Sequence, residues 1–314
     1  MKKPKLIQQM QDRLHPKSMM IPIKTLAKGT TRVDNFWGKH TVNSLPFKTQ
    51  QESLDYLEWR FEQYPLFREL MGLWGDHTNE VVLDYGCGPG NDLTGFLMYS
   101  KAKKVIGVEV SEKALRLASR RLALHKIDQE RVELVQISDA EPKIPIEDNS
   151  VDYIYCEGVL HHTSYPERIL LEFYRVLKPG GSASIMVYNR NSIWLHLYTA
   201  YEKMIVQNAF PGLKLEEAFA RNTDGVDCPI ARCYTSAEFI DLCSAAKFRT
   251  EYLGGYLSKI EMNILKRLKH QALADDRLEN VHKDFLKNLI NDKKGYPMYQ
   301  GKYAGIGGVY KLIK

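Results

Sequence analysis

Between residues 81 and 188, short runs of aliphatic and β-branched residues alternate with longer stretches whose apolar positions recur every three or four residues. The runs 81–85 (VVLDY), 104–110 (KVIGVEV), 132–137 (VELVQI), 151–156 (VDYIYC) and 182–188 (SASIMVY) are nearly continuous in apolar character. That is the pattern of strands buried on both faces. After the second run Ser111 is a natural N-cap, and Leu115, Ala118, Leu122 and His125 then share one helical face. Pro166 opens a further helix with Ile169, Leu170, Phe173, Val176 and Leu177 on its apolar stripe, and Pro179 with two glycines is expected to stop it. A bend at 253–257 marks a sixth strand, and the alternation within 301–314 a last one. Strands alternating with helices require right-handed crossovers, so the expected fold is α/β, a doubly wound, mostly parallel seven-stranded sheet.

The flanks break this rhythm. Residues 34–75 read as a helical, aromatic-rich cap, 76–188 as the core, and 189–234 as a helical insertion that geometry puts over the carboxyl end of the fifth strand as a lid. Residues 235–258 continue the core, 259–295 form another helical insertion, and 296–314 hold the final strand. The net charge of +6 belongs almost entirely to residues 1–33, where eight Lys and Arg face Asp12 alone. The body therefore lacks the basic surplus of a nucleic-acid groove, and 1–33 reads as a solvated basic arm. Five cysteines without CxxC or zinc spacing suit a reducing compartment and imply no metal. With no secretory leader and no run near the ~20 apolar residues of a membrane span, a cytoplasmic location and no membrane span are expected. The state expected is a monomer or homodimer.

The densest chemistry sits at "VVLDYGCGPGND", 81–92. Gly86, Gly88 and Gly90 follow the first core strand, where ligands of open α/β sheets bind. A GxGxG spacing alone fits a tight turn as well as a ligand cradle. Its neighbours weigh toward the cradle. Asp84 precedes the loop, Glu109 closes the second strand where it could accept two ribose hydroxyls, and Asp139 follows the third where it could take a purine amino group. An acid on the first strand end favours a ligand carrying an ammonium over a polyphosphate.

Taken together, "VVLDYGCGPGND", "VIGVEVS", "VQISDAEPKIPIEDNSVDYIYCEGVLHHT" and "RVLKPGGSASI" resemble the class I S-adenosylmethionine-dependent methyltransferases, in the small-molecule branch that includes ubiquinone- and menaquinone-type enzymes. The likeness covers roughly residues 80–188. It implies S-adenosylmethionine as cofactor and S-adenosylhomocysteine as product. It gives Asp84, Gly86 and Gly88 to the methionine end, with Gly90 compacting the loop and Tyr85 and Cys87 among the cofactor-binding residues. Glu109 would hold the ribose and Val110 the adenine face; Asp139 and Ala140 would sit at the adenine amino group, and Cys156 and Glu157 at the reactive side. Tyr85 departs from the smaller aliphatic usual there.

A sulfonium is already a strong methyl donor, so the protein must chiefly align a nucleophile and exclude water. His161 and His162 fall just past the fourth strand, and either could be a general base or a packed cap. In the insertion, Tyr188, Arg190 and Tyr198 are substrate candidates, as is the polar turn 221–234 with Arg221, Asp224, Asp227 and Arg232. The two arginines Arg190 and Arg232 point weakly to a polar or anionic acceptor. The expected activity is in-line methyl transfer to an oxygen or nitrogen of a small molecule. An RNA or protein methyltransferase and a non-catalytic cofactor-binding protein remain as alternatives. An amino-methylating enzyme that flips bases would carry an Asp/Asn-Pro-Pro-aromatic stretch where this chain has "CEGVLHH", and an arginine-methylating one would need two clamping glutamates where only Glu157 stands.

Overall fold

The computed structural model describes residues 20–27, 29–42 and 44–314, so most of the basic arm lies outside the described residues. The strands are β1 (Ile23–Thr25), β2 (Val81–Tyr85), β3 (Lys104–Glu109), β4 (Val132–Gln136), β5 (Val151–Glu157), β6 (Leu177–Asn189), β7 (Cys233–Tyr234), β8 (Arg249–Tyr256), β9 (Ile290–Asn291), β10 (Pro297–Tyr299), β11 (Lys302–Tyr303) and β12 (Gly307–Ile313). The main sheet runs β1-β4-β3-β2-β5-β6-β12-β8, with β7 beside β6. Its parallel part grows outward from β2 in both directions, and only β12 runs antiparallel to its neighbours β6 and β8. The seven expected strands form this sheet; β1 and β7 are short additions. β1 comes from the segment read as a solvated arm, and extends the sheet by pairing in parallel with β4 while Lys24 meets Glu133 at 2.6 Å.

The core divides over the two sheet faces. On one, Leu83, Ile154, Ile185 and Tyr310 pack against Ile169, Leu170 and Phe173 of the helix Pro166–Val176. On the other, Val82, Val105 and Leu134 meet Leu93 and Phe96 of the helix Asn91–Tyr99 and Leu115 and Leu122 of the helix Glu112–Leu124. Ser111 caps that last helix, accepting from the N–H of Ala114 at 3.2 Å. The Pro166 helix ends earlier than expected, at Val176. The chain turns at once into β6, so Pro179, Gly180 and Gly181 lie within a strand, beside an irregularity in its pairing with β5.

A third apolar cluster joins the segments outside the core. The π-helical stretch Trp194–Val206 packs through Leu197, Ala200 and Tyr201 on Ile264 and Leu268 of the helix Lys259–Ala274 and on Phe285 of the helix Asn280–Lys287. β9, β10 and β11 make a separate three-stranded sheet, so 296–314 holds more than the one expected strand. Among the described residues no helix is long and apolar enough to cross a membrane.

Candidate functional site

The order of strands reverses around β2, and the glycine loop leaves β2 at that point. In open α/β sheets this crevice is where ligands seat. Asp84, the penultimate residue of β2, lies in register between Gly107 of β3 and Tyr155 of β5. The N–H groups of Gly86 and Cys87 donate to the carbonyl of Val108 at 2.7 and 3.1 Å, folding the loop back onto β3. Gly86 has φ 78°, and a Cβ there would stand 2.2 Å from Cγ2 of Val159, so the position excludes any side chain. Gly88 also has a positive φ, but a Cβ would meet nothing within 4 Å.

A cavity of about 650 Å³ opens above this loop, within the ~300–1,000 Å³ range of small-molecule sites. Its wall includes Asp84, Tyr85, Gly86, Cys87, Gly88, Glu109, Val110, Asp139, Glu157, His162 and Tyr188. The other sequence candidates stand elsewhere. Gly90 is packed against Ala118, Ala140 is exposed, and Cys156 and His161 are buried outside the wall. Arg190 turns to Glu216 at 3.2 Å, Arg232 donates to the carbonyl of Thr163 at 2.7 Å, and Tyr198 packs on Trp194 with ring centroids 4.5 Å apart.

The carboxylates differ in how far they are already satisfied. Glu109 accepts from the N–H groups of Gly88, Val110 and Ser111 at 3.0, 2.8 and 2.9 Å. Burial still pushes its carboxyl above the usual range. Asp139 takes the Ser164 N–H at 2.9 Å and the Ser164 hydroxyl, and its own N–H donates to Asp34. Asp84 is 3 % exposed, and its Oδ2 has no partner. Burial first, then the charges of Asp92, Glu157 and Glu109, push it well above the ordinary carboxylate range.

Three residues complete the wall that the sequence reading had not singled out. Arg60, on the helix Gln50–Gln63, pairs with Asp92 at 2.9 and 3.2 Å and approaches Glu157 at 3.7 Å. Tyr256, at the end of β8, donates to Glu157 at 2.8 Å. Asp92 directly follows the glycine loop, where its position was a signal; Arg60, the one basic residue in "YLEWRFEQY", was a fainter one. Burial of the pair is strong, with side chains 6 % and 9 % exposed.

On the opposite side His162 reaches the cavity from the turn after β5. Its Nδ1 lies 2.7 Å from the carbonyl of Ile230, which can only accept, so Nδ1 carries the proton and Nε2 is left with a lone pair. That Nε2 is 3.6 Å from Oδ1 of Asp224, which accepts from the Tyr188 hydroxyl at 2.9 Å. Burial holds His162 below the usual imidazole range. His161 is fully buried beneath it with both ring nitrogens unpartnered, its ring tilted against Tyr188 with centroids 3.8 Å apart. Cys228 completes a cluster in which donor atoms of His162, Asp224 and the thiol lie within 4.8 Å of one another; the thiol donates to the Ile230 carbonyl at 3.3 Å.

Residues 83–185 match the family described as methyltransferase domain. An uncharacterized methyltransferase of Schizosaccharomyces pombe is 38% identical over 106 residues, 32% of this chain and 37% of that protein. The demethylmenaquinone methyltransferase of Listeria welshimeri is 30% identical over 156 residues, 48% of this chain and 61% of that one. This chain thus spans less than two thirds of either relative. The phosphoethanolamine N-methyltransferase 2 of Haemonchus contortus, solved with phosphomonomethylethanolamine and S-adenosylhomocysteine, shares the fold at a TM-score of 0.50 and 16% identity, covering 90% of this chain and 59% of that one. Gly86 leaves no room for a side chain beside Val159, and Asp84 holds a buried carboxylate oxygen without a partner, suited to an ammonium. Residues 83–185 thus carry a methyltransferase domain, similar to that of the class I S-adenosylmethionine-dependent enzymes, and these likenesses support S-adenosylmethionine as its cofactor.

Proposed function

We propose that this protein transfers a methyl group from S-adenosylmethionine to a nitrogen or oxygen of a small molecule bound in the cavity above the glycine loop. One observation carries the reading: carboxylates from the ends of β2, β3 and β5 line one cavity with the loop, and the Asp84 carboxylate lacks a partner there. In this reading Asp84 meets the ammonium of the methionine end and Arg60 lies beside its carboxylate. Glu109 holds the ribose and Asp139 the adenine edge. The cofactor supplies an electrophilic methyl on a positively charged sulfur. The chain's own task is to hold the acceptor in line with that methyl and to keep water out, a positioning effect.

His162 is the base in this reading and His161 is its packing floor. The tautomer fixed by Ile230 leaves a neutral Nε2 facing the cavity, whereas His161 touches none of it. The segments 189–234 and 34–75 close the cavity from above, through Trp194, Thr223 and Asp224 on one side and Trp37, Arg60 and Tyr64 on the other. The quinone-type relative supports a small-molecule acceptor.

Incubation with labelled S-adenosylmethionine and fractionated small-molecule extract is expected to yield a labelled product heavier by one CH2. His162→Ala should lower that turnover at least tenfold, the lower range of general-base contributions, with S-adenosylhomocysteine affinity unchanged. His161→Ala should leave turnover within a few-fold. Equal turnover by both variants would remove the base assignment, and no labelled product from any fraction would remove the small-molecule reading.

A further inference from the structure

The charge lining the cavity is one-sided. Asp84, Asp92, Glu109, Asp139, Glu157 and Asp224 face it, and among the described residues Arg60 is the only Lys or Arg in its wall. Arg60 and Asp92 neutralise each other at 2.9 Å. In the reading above, Asp84, Glu109 and Asp139 serve the cofactor. That leaves Glu157, at the end of β5, and Asp224, which accepts from the Tyr188 hydroxyl. Neither is fully satisfied. Oδ2 of Asp224 is buried without a partner, and Oε2 of Glu157 has Arg60 no nearer than 3.7 Å. The same cavity is lined by aromatic rings, Trp37, Tyr188, Trp194 and Tyr256.

We propose that the acceptor is a small amine that enters as an ammonium cation, held between Glu157 and Asp224 against these aromatic walls, and that it is methylated on nitrogen. This rests on the methyltransferase reading above and names its substrate class. Buried carboxylates without partners are costly, and a bound cation relieves that cost, as do the negative faces of aromatic rings. A carboxylate or phosphate on the acceptor would instead meet these same acids. The arginines that pointed to an anionic acceptor, Arg190 and Arg232, face Glu216 and the Thr163 carbonyl rather than the cavity. Burial raises the carboxyls of both Glu157 and Asp224, and neither the Arg60 guanidinium 3.7 Å from Glu157 nor the Tyr188 hydroxyl on Asp224 brings them back to the usual range.

The chemistry balances within the site. The ammonium gives one proton to Nε2 of His162, which frees the nitrogen lone pair. The nitrogen then forms its bond to the methyl carbon as the carbon–sulfur bond breaks, and that bond's electron pair stays on sulfur as S-adenosylhomocysteine. The methylated nitrogen leaves as an ammonium.

Three probes on one phenyl-and-two-carbon skeleton separate this from its alternatives: phenethylamine, 2-phenylethanol and phenylacetate, titrated calorimetrically into the full chain loaded with S-adenosylhomocysteine. Phenethylamine should bind at least tenfold more tightly than 2-phenylethanol, and phenylacetate more weakly than both. Glu157→Gln and Asp224→Asn should each cut phenethylamine affinity at least fivefold while leaving 2-phenylethanol affinity unchanged. Unaltered S-adenosylhomocysteine binding by the variants shows that they fold. Equal or tighter binding of the alcohol or the acid, or no binding of any probe, would overturn the amine assignment while S-adenosylhomocysteine binding left the methyltransferase reading standing. Failure to bind S-adenosylhomocysteine would overturn both.

Discussion

At the scale of single residues, the site depends on what one glycine lacks. Gly86 combines φ 78° with Val159 in the space where a Cβ would go. Gly86→Ala must therefore adopt a backbone conformation that costs about 1–3 kcal/mol and also displace the Val159 side chain. The expected outcome is a lower unfolding temperature together with at least tenfold weaker S-adenosylhomocysteine binding. Adding Val159→Ala should restore part of the stability, since it removes the clash but not the strain. Wild-type affinity in Gly86→Ala would mean that the loop does not touch the ligand. This position, with Asp84 and Glu109, was legible in the sequence because its signal is local: glycines and acids at the ends of apolar runs. Arg60 was not. Its role comes from a contact with Asp92 across 32 positions of chain, and nothing in the residues beside it says which acid it will meet.

At the scale of elements, Arg60 fastens the helix Gln50–Gln63 to the end of β5 and to the helix that follows the glycine loop. Its guanidinium lies over the Phe67 ring at 5.0 Å and its charge is held by Asp92 and Glu157. Removing one partner of a buried ion pair strands the other, at a cost of about 3–5 kcal/mol. Arg60→Leu should destabilise the protein on that order in denaturant unfolding. Adding Asp92→Asn should recover a sizeable part, because it removes the stranded charge. A loss below 1 kcal/mol would show that the pair is better hydrated than its burial indicates. The seven main strands and the helices after Ser111 and Pro166 were readable from period alone, whereas the short β1, β7 and β9–β11 were not. The end of the Pro166 helix was misjudged: Pro179 and the glycines read as a stop signal after it, whereas pairing with β5 had already drawn Leu177 into β6. Tertiary pairing overrode the local signal.

At the scale of the whole molecule, two sets of buried groups respond to acid in opposite directions. Burial lowers His125, beside Ser53 and Arg121, to about 4, and His196, stacked on Phe285, to about 3. Both are depressed relative to the unfolded chain, whose histidines take up protons first as pH falls. Their contribution is therefore full above pH ~6.5 and is lost progressively toward pH ~4. The carboxyls of Asp84, Glu109, Glu157 and Asp224 are raised, so their protonation favours the fold over part of the same range. A single variant separates the two. His125→Gln should match wild type in urea unfolding at pH 7.5 and keep more of that stability at pH 5. Parallel decline of both proteins would show that His125 is already charged in the fold.

The placement of β12 has a consequence for the order in which the cavity comes into being. Among the described residues β8 joins the main sheet only through β12, and β12 in turn pairs with β6, more than a hundred positions earlier in the chain. Tyr256 closes β8 and Ile306 immediately precedes β12, and both belong to the cavity wall. During synthesis the glycine loop and its acids can assemble early from neighbouring βα units. The acceptor side waits for a closure between β12 and β6, which lie more than a hundred positions apart, the kind of pairing that is slow to find. Weakening the pairing of β12 with β6 is therefore expected to cost the acceptor side of the cavity before the nucleoside side.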